Sequence, residues 1–402
     1  IITGSTVTVE AGNGYWINTT SNTCTITLPS AAEKGDQIVL IDYARTWGTN
    51  AITIDSNGLN YQGEDDTYTV EYTTDGQSVN IVYSDATKGW VPLEDDVTAL
   101  EPVAPVTQKA IMLFGSSDNG ATAVSTANLI SSSGVVASDT STAATATLMS
   151  MAATYGFDKA VYAFGDNGSN AGNTYHNNRE LVSNQGVVAS TVTGAGTARM
   201  GGAATEYGTS GQAVMAFGYT TGATNLSNLV SNQGVVASDT TGVGTARYYP
   251  AGGRYGVGLG IFGYGSNNNS VSMSNKVSSS GVIASDTSGV GTAGFARSFA
   301  PYGSGLGMFI YGNGEGLGYS NYTNRVSNTG VIASNGQAAG TGRMDGGASS
   351  YGGDKGIGGF GYDGSSLGQT NLISNTGTVA SDTSAVGTAR AKGEMAGYST
   401  SA

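Results

Sequence analysis

Two charged positions recur along this chain with the spacing of a repeat. Arg199, Arg247, Arg343 and Arg390 each stand eight residues before a tyrosine, and Asp139, Asp239, Asp286 and Asp382 each follow a phrase of the type GVVAS. Thr147 and Gly294 hold the arginine position in two further copies, in the second of which Arg297 is displaced by three residues. A guanidinium presents a planar fork of donors that matches carboxylate, sulfate or phosphate. A ring of such forks facing a central channel could grip an anionic glycan or sulfate. The same fork can instead brace neighbouring segments, by bonding backbone carbonyls or the aspartate of the preceding loop. The incomplete set argues against a symmetric anion site, so the brace is the expectation. The repeated aspartates are expected in Asx turns or salt links. A residue that serves every copy alike makes a poor catalytic carboxylate.

Residues that occur once carry more specific chemistry. His176, the only histidine, lies in NAGNTYHNN, with Glu180 nearby as an orienting carboxylate for a general base; a polar loop residue is the simpler expectation. Cys24 is the only cysteine, which excludes an intrachain disulfide and a cysteine-rich metal site. The clusters Glu64-Asp65-Asp66 and Glu94-Asp95-Asp96, and the stretch from Asp166 to Asn170, lack the spaced carboxylates of a calcium loop. No metal or cofactor is expected. The most variable segments are loops rich in Asn, Ser, Gly and Tyr, which carry Tyr175, His176, Tyr319 and Tyr322. Such side chains suit hydrogen bonding to sugars and stacking on them, so these four are the expected ligand contacts, set against solvated loops with no ligand. No isolated carboxylate pair unique to one copy supports a glycan hydrolase, and no enzymatic activity is expected.

A repeated fold must hold these residues. The phrases SSSGVVAS, SNQGVVAS (twice), SSSGVIAS, SNTGVIAS and SNTGTVAS place glycines at 134, 186, 234, 281, 330 and 377, in steps of 47 to 52 residues. Tyr155, Tyr207, Tyr255, Tyr302, Tyr351 and Tyr398 repeat in the same steps. An aromatic-Gly pair closes a second segment of each copy: Phe114-Gly115, Phe164-Gly165, Phe217-Gly218, Phe262-Gly263, Tyr311-Gly312 and Phe360-Gly361. Each copy holds four short apolar segments bounded by Gly and Asn, without helical period, which predicts four strands with GVVAS as the fourth. A period of this length with four strands predicts the blade of a β-propeller. Small residues in the first segment (GGAAT, AGG, GGASS) fit strands that converge on an axis. The region opens with a second-type segment, Lys109 to Gly115, and closes with a first-type segment, Thr388 to Ser399. Their pairing would close a six-bladed ring and remove exposed sheet edges. The rival, a trimeric fibre of β-solenoid rungs, places them far apart. The order TAR-x-GGA-xxx-YG-xx-KAxxAFG, best seen from Thr197 to Gly218, resembles the kelch-like repeat over about residues 109–402. Tyr219 stands where kelch has its second glycine, and the late-blade tryptophan of kelch is absent. The resemblance implies propeller geometry.

The preceding part differs in composition. Residues 1–108 hold 15 acidic and 3 basic side chains, 9 of the 64 glycines and all three tryptophans, whereas the remainder has 14 acidic and 13 basic groups. An acidic chain without a basic patch is a poor nucleic-acid binder. No 18-residue apolar run occurs, so no membrane insertion is expected, and no signal peptide is visible from Ile1 onward. Residues 1–91 alternate in the manner of strands, predicting a β-sandwich or short β-solenoid, and residues 92–108 read as a stiff Pro-rich acidic linker. Tyr15, Asn18, Thr19, Thr27, Leu28, Pro29, Gly35, Asp36, Asp42, Asn50, Thr53, Ile54, Asn57, Gly58, Gly63, Tyr83, Gly89 and Trp90 follow in order a pattern that resembles a module of tailed-phage fibre and appendage proteins. That resemblance implies a virion surface protein contacting other virion proteins, with a homotrimer as one assembly. The expected architecture is all-β: an attachment or oligomerisation module, then a six-bladed kelch-like β-propeller displayed toward a host-surface glycan. The alternative is a secreted bacterial lectin or adhesin.

Overall fold

The computed structural model describes residues 1–97, 107–118, 120, 122–168, 174–314, 316 and 318–402, without the side chains of 94–97. The rest of the expected linker (98–106), the acidic side chains at 94–96 and residues 169–170 of the DNGSN stretch lie outside the described residues. The fold is all-β, and no helix in it is long and apolar enough to cross a membrane. The chain divides into two compact units, Ile1–Pro102 and Val103–Ala402.

The first unit has eight strands: β1 (Thr6–Thr8), β2 (Gly14–Ile17), β3 (Cys24–Thr27), β4 (Gln37–Asp42), β5 (Ile52–Asp55), β6 (Val70–Tyr72), β7 (Gln77–Asp85) and β8 (Gly89–Val97). They form two sheets, ordered β1-β3-β5-β6 and β2-β4-β7-β8, and the chain alternates between them from β1 to β5. The pairs β1/β3, β3/β5 and β2/β4 are parallel, as in a winding solenoid, and the last strand of the first sheet and last two of the second add antiparallel. The unit thus combines the two geometries that its sequence offered as alternatives. Period-two burial drives it: Cys24, Ile26, Ile38, Leu40, Ile52, Ile54, Val79 and Ile81 are buried with Trp47 and Trp90 in one core. The expected linker start is corrected. Pro92 lies within β8 opposite Ile81, beside a register shift between Asn80 and Ile81, a place where a missing N–H is tolerated.

The second unit holds six main antiparallel sheets, numbered I to VI by the phrase each carries. Their first and second strands are Glu394–Tyr398 and Lys109–Leu113 (I), Met151–Tyr155 and Lys159–Asp166 (II), Ala203–Tyr207 and Gln212–Tyr219 (III), Ala251–Tyr255 and Leu259–Gly263 (IV), Ser298–Tyr302 and Leu306–Ile310 (V), and Gly347–Tyr351 and Lys355–Gly359 (VI). Sheet I joins the two ends of the unit, from Glu394 opposite Leu113 to Tyr398 opposite Lys109. This is the expected seam, and it is incompatible with the solenoid rival.

Two rings of backbone hydrogen bonds run from sheet to sheet. At one end Met149 donates to Lys392, Lys392 to Asp345, Asp345 to Ala296, Ala296 to Tyr249, Tyr249 to Gly201 and Gly201 back to Met149, at 2.6–3.2 Å. All six residues have φ between 52° and 64°. At the other end the turns after the first strands link in the same cyclic order: Gly156 to Gly211, Gly208 to Gly258, Gly256 to Gly305, Gly303 to Asp354, Gly352 to Gln108 and Ser399 to Asp158, at 2.7–2.9 Å. The first strands neighbour one another in this order too.

The six tyrosines and six phrase glycines share a period because each tyrosine packs on the glycine of the next sheet. Tyr155 meets Gly234, Tyr207 Gly281, Tyr255 Gly330, Tyr302 Gly377, Tyr351 Gly134 and Tyr398 Gly186. The tyrosines are buried, and the glycines have φ of 73–80°. Two expectations are corrected. The GVVAS phrase is not a full strand: each makes one bridge to the third strand, such as Val236 to Val230, and the residue after its glycine points out, with Val135, Val187, Val235, Val282 and Val331 exposed. In sheet IV the aromatic-Gly pair is Tyr264-Gly265, not Phe262-Gly263. Tyr264 has the positive φ that Phe114, Phe164, Phe217, Tyr311 and Phe360 share, and the Gly265 N–H reaches the next sheet at Gly294.

Candidate functional site

The repeated charges are internal braces. In five sheets an arginine lies over the aromatic ring that ends the second strand of the preceding sheet: Arg199 over Phe164, Arg247 over Phe217, Arg297 over Tyr264, Arg343 over Tyr311 and Arg390 over Phe360, at 3.9–4.7 Å from ring centroid. Arg199, Arg247, Arg297 and Arg343 donate to Asn228, Asn275, Asn324 and Asn371 of their own sheets. Each asparagine in turn donates to Asp239, Asp286, Asn335 or Asp382. Arg390 instead bonds the carbonyls of Phe114, Met112 and Thr126, with Asn128 donating to Asp139. The aspartates also accept the hydroxyls of Thr197, Thr245, Thr341 and Thr388, and lie 3.6–4.0 Å from the arginines. All five arginines are buried, so the alternative of forks facing an open channel is corrected. Burial pulls Arg199, Arg247 and Arg390 down to about 10, which leaves them cationic at neutral pH.

Sheet II lacks the brace. Thr147 replaces the arginine, Glu180 the asparagine and Thr191 the aspartate, and the Thr191 hydroxyl donates to Glu180 at 2.7 Å. Glu180 is buried, which pushes its carboxyl up to about 7 against the help of Thr191 and Arg179. His176 is not a loop residue: it sits on the third strand opposite Gly165, half-buried, with Nε2 3.4 Å from the Thr147 hydroxyl and Nδ1 without a hydrogen-bond partner among the described residues. Burial lowers its pKa. Glu180 is engaged by Thr191, so the carboxylate–histidine pair of a general base is not assembled.

Loops between second and third strands lie at the end of the first hydrogen-bond ring, and aromatic side chains meet there. Tyr175 packs edge-on against Tyr219 at 6.2 Å, Tyr219 against Tyr248 at 5.3 Å, and Tyr248 against Tyr249 at 5.1 Å; Tyr249 stacks with Phe295 at 6.3 Å. This arc of five half-buried rings crosses from sheet II to the short strand Gly294–Phe295 that precedes sheet V, and includes the ring residue Tyr249. Tyr319, 38% exposed, packs on Tyr362 at 5.7 Å. Of the expected contacts, Tyr175 and Tyr319 join these groups. Tyr322 lies in the third strand of sheet V and His176 beneath the surface. Sequence reasoning missed Tyr219, Tyr248, Tyr249, Phe295 and Tyr362. The signal was present: Tyr248-Tyr249 stand where other copies have Met200-Gly201 or Met344-Asp345.

Beside the arc, a cavity of about 30 Å³ is lined by Met149, Tyr249, Arg297, Asp345, Lys392 and Glu394. Burial raises Asp345 to about 6, opposed by Lys392, and raises Glu394 to about 8 with the Asp345 charge adding to it. Glu394 is therefore mostly neutral at pH 7. Elsewhere Asp65 accepts the Thr67 N–H and hydroxyl in an Asx-type turn, and no group of three metal-ligating side chains occurs among the described residues. No family model matches the chain, and no curated protein matches it.

Proposed function

We propose that residues 109–402 form a six-bladed propeller that a tailed-phage virion displays on a fibre, tail or capsid appendage, and that its loop face binds a host-surface saccharide without catalysis. The observation that carries the binding half is the aromatic arc from Tyr175 through Tyr219, Tyr248 and Tyr249 to Phe295. Half-buried aromatic rings offer flat apolar faces with hydroxyls at their edges, a chemistry suited to pyranose rings. The arc also lies where the copies differ, whereas repeated charges are consumed in braces. The virion half rests on the resemblance of residues 15–90 to phage appendage modules. Contacts with other virion proteins and a homotrimeric assembly belong to the same reading. Glycan-array binding of the full chain, repeated with Tyr219→Ala and Tyr175→Ala, tests recognition. Loss of a specific signal in both variants supports it; no signal with any glycan overturns it. Detection of the chain in purified particles tests the virion assignment.

A further inference from the structure

The end of the ring opposite the aromatic arc carries a second, chemically different opening. Along the first strands, the residue before the packed tyrosine is Thr154, Glu206, Arg254, Pro301, Ser350 or Gly397. This position differs in every copy, although its neighbour never does. Two of the six are charged, of opposite sign, and lie on neighbouring strands. A cavity of about 80 Å³ opens beside them, lined by Thr154, Phe157, Glu206, Gln212, Arg254 and Val257 among others.

The two charges do not satisfy each other. Glu206 is fixed, with Oε1 accepting the Thr154 N–H at 3.0 Å. Arg254 is half-buried in the cavity wall and has no side-chain hydrogen bond or ion pair among the described residues. The five brace arginines, by contrast, each have a ring and a hydrogen-bond acceptor. A guanidinium fork in a half-buried recess has the geometry to pair with a carboxylate. Glu206 keeps an oxygen for hydroxyl donors, and Gln212 supplies an amide that both donates and accepts. Phe157 and Val257 give the recess an apolar side. The volume holds several water-sized groups, enough for a carboxylate and the ring edge that bears it.

We propose that this recess binds a carboxylate-bearing saccharide of the uronic-acid type: Arg254 pairs with the carboxylate, Glu206 and Gln212 take adjacent hydroxyls, and Phe157 covers the apolar face of the ring. The site is separate from the aromatic arc in place and in chemistry, so either can fail without the other. The test uses the full chain and glucuronic acid, followed by saturation-transfer NMR and calorimetric titration. Glucuronate binds at low salt, its methyl ester and glucose bind at least about tenfold more weakly, and inorganic phosphate does not compete at equal concentration. Arg254→Ala abolishes binding, and Arg254→Lys restores only part of it, because an ammonium lacks the planar fork. Tyr219→Ala leaves glucuronate binding unchanged. Arg254 has no side-chain hydrogen bond or ion pair among the described residues, so its variants keep the wild-type melting temperature, which checks that they fold. Equal binding of acid and ester, glucuronate binding that survives Arg254→Ala, or no glucuronate binding by the wild-type chain overturns the proposal.

Discussion

Tyr398 lies on Gly186, the closing member of the tyrosine–glycine series: a Cβ on Gly186 would meet the phenol of Tyr398 at 3.0 Å, and the glycine has φ of 79°. The equivalent contact at Gly234, with Tyr155 at 2.9 Å and φ of 75°, is internal to the chain. Gly234→Ala combines left-handed strain of about 1–2 kcal/mol with displacement of a buried ring, for a loss of about 2–4 kcal/mol. Gly222, whose Cβ would meet nothing, is the control, and Gly222→Ala changes stability little. Denaturant unfolding of both variants checks the contrast.

The seam makes a second prediction. Removing residues 388–402 strips the strand Glu394–Tyr398 from Lys109–Leu113 and breaks both backbone rings, at Lys392 and at Ser399. A closed ring loses its cooperative transition and exposes an apolar edge strand, so the truncated chain aggregates. A linear stack of repeats would lose only its last unit and keep most of its unfolding amplitude. Scanning calorimetry with light scattering separates the two.

The brace predicts asymmetric costs. Arg247 is buried, lies 3.9 Å from the Phe217 ring centroid and donates to Asn275 at 2.7 Å, whereas the Asp286 side chain is 31% exposed. Arg247→Ala removes the ring contact, opens a cavity and leaves Asn275 Oδ1 without its donor, costing about 3–5 kcal/mol. Asp286→Ala leaves two threonine donors and an amide near water, and costs about 1–2 kcal/mol. Arg247→Lys falls between, since an ammonium cannot lie flat on the ring and bond the amide together. Urea midpoints of the three variants give the order.

The seam was legible because strand type could be read at both ends of the repeat, and a closed ring, unlike the solenoid rival, pairs them. Arg297 was not recognised as a brace because counting from Tyr302 locates a backbone position, not the reach of a side chain. A guanidinium three residues late still arrives over Tyr264. Tyr264 was itself passed over because IFGYG offers two aromatic-Gly pairs, and only the positive φ that carries the next inter-sheet bond distinguishes them. The GVVAS phrase alternates like a strand, but its outer valine faces solvent and only its inner residue bridges. The aromatic arc joins four sheets, so no local window contains it. The unlike residues before the six tyrosines were visible, but the turns at the far end that give three of them, Thr154, Glu206 and Arg254, a common recess were not.

Sheet II predicts a pH dependence of defined sign. Burial raises the folded Glu180 carboxyl to about 7, above the ordinary value near 4.5 that it regains on unfolding. Between these values the native chain holds a proton that the unfolded chain has released, so stability falls as pH rises through this window. Below it both states are protonated and the contribution vanishes; above it the penalty is complete, at about 3 kcal/mol. His176 acts oppositely: burial lowers its pKa, so below about 6.5 the unfolded chain takes up a proton first and stability drops toward acid. Comparing Glu180→Gln with wild type leaves the histidine contribution common to both. The variant keeps an acceptor for the Thr191 hydroxyl and cannot ionise. It should match wild type near pH 4 and exceed it by up to about 3 kcal/mol near pH 8, with the difference growing mostly between pH 5 and 7. Urea unfolding across that range measures it. A difference independent of pH would mean that Glu180 ionises normally in the fold, and that the missing arginine of sheet II imposes no electrostatic cost.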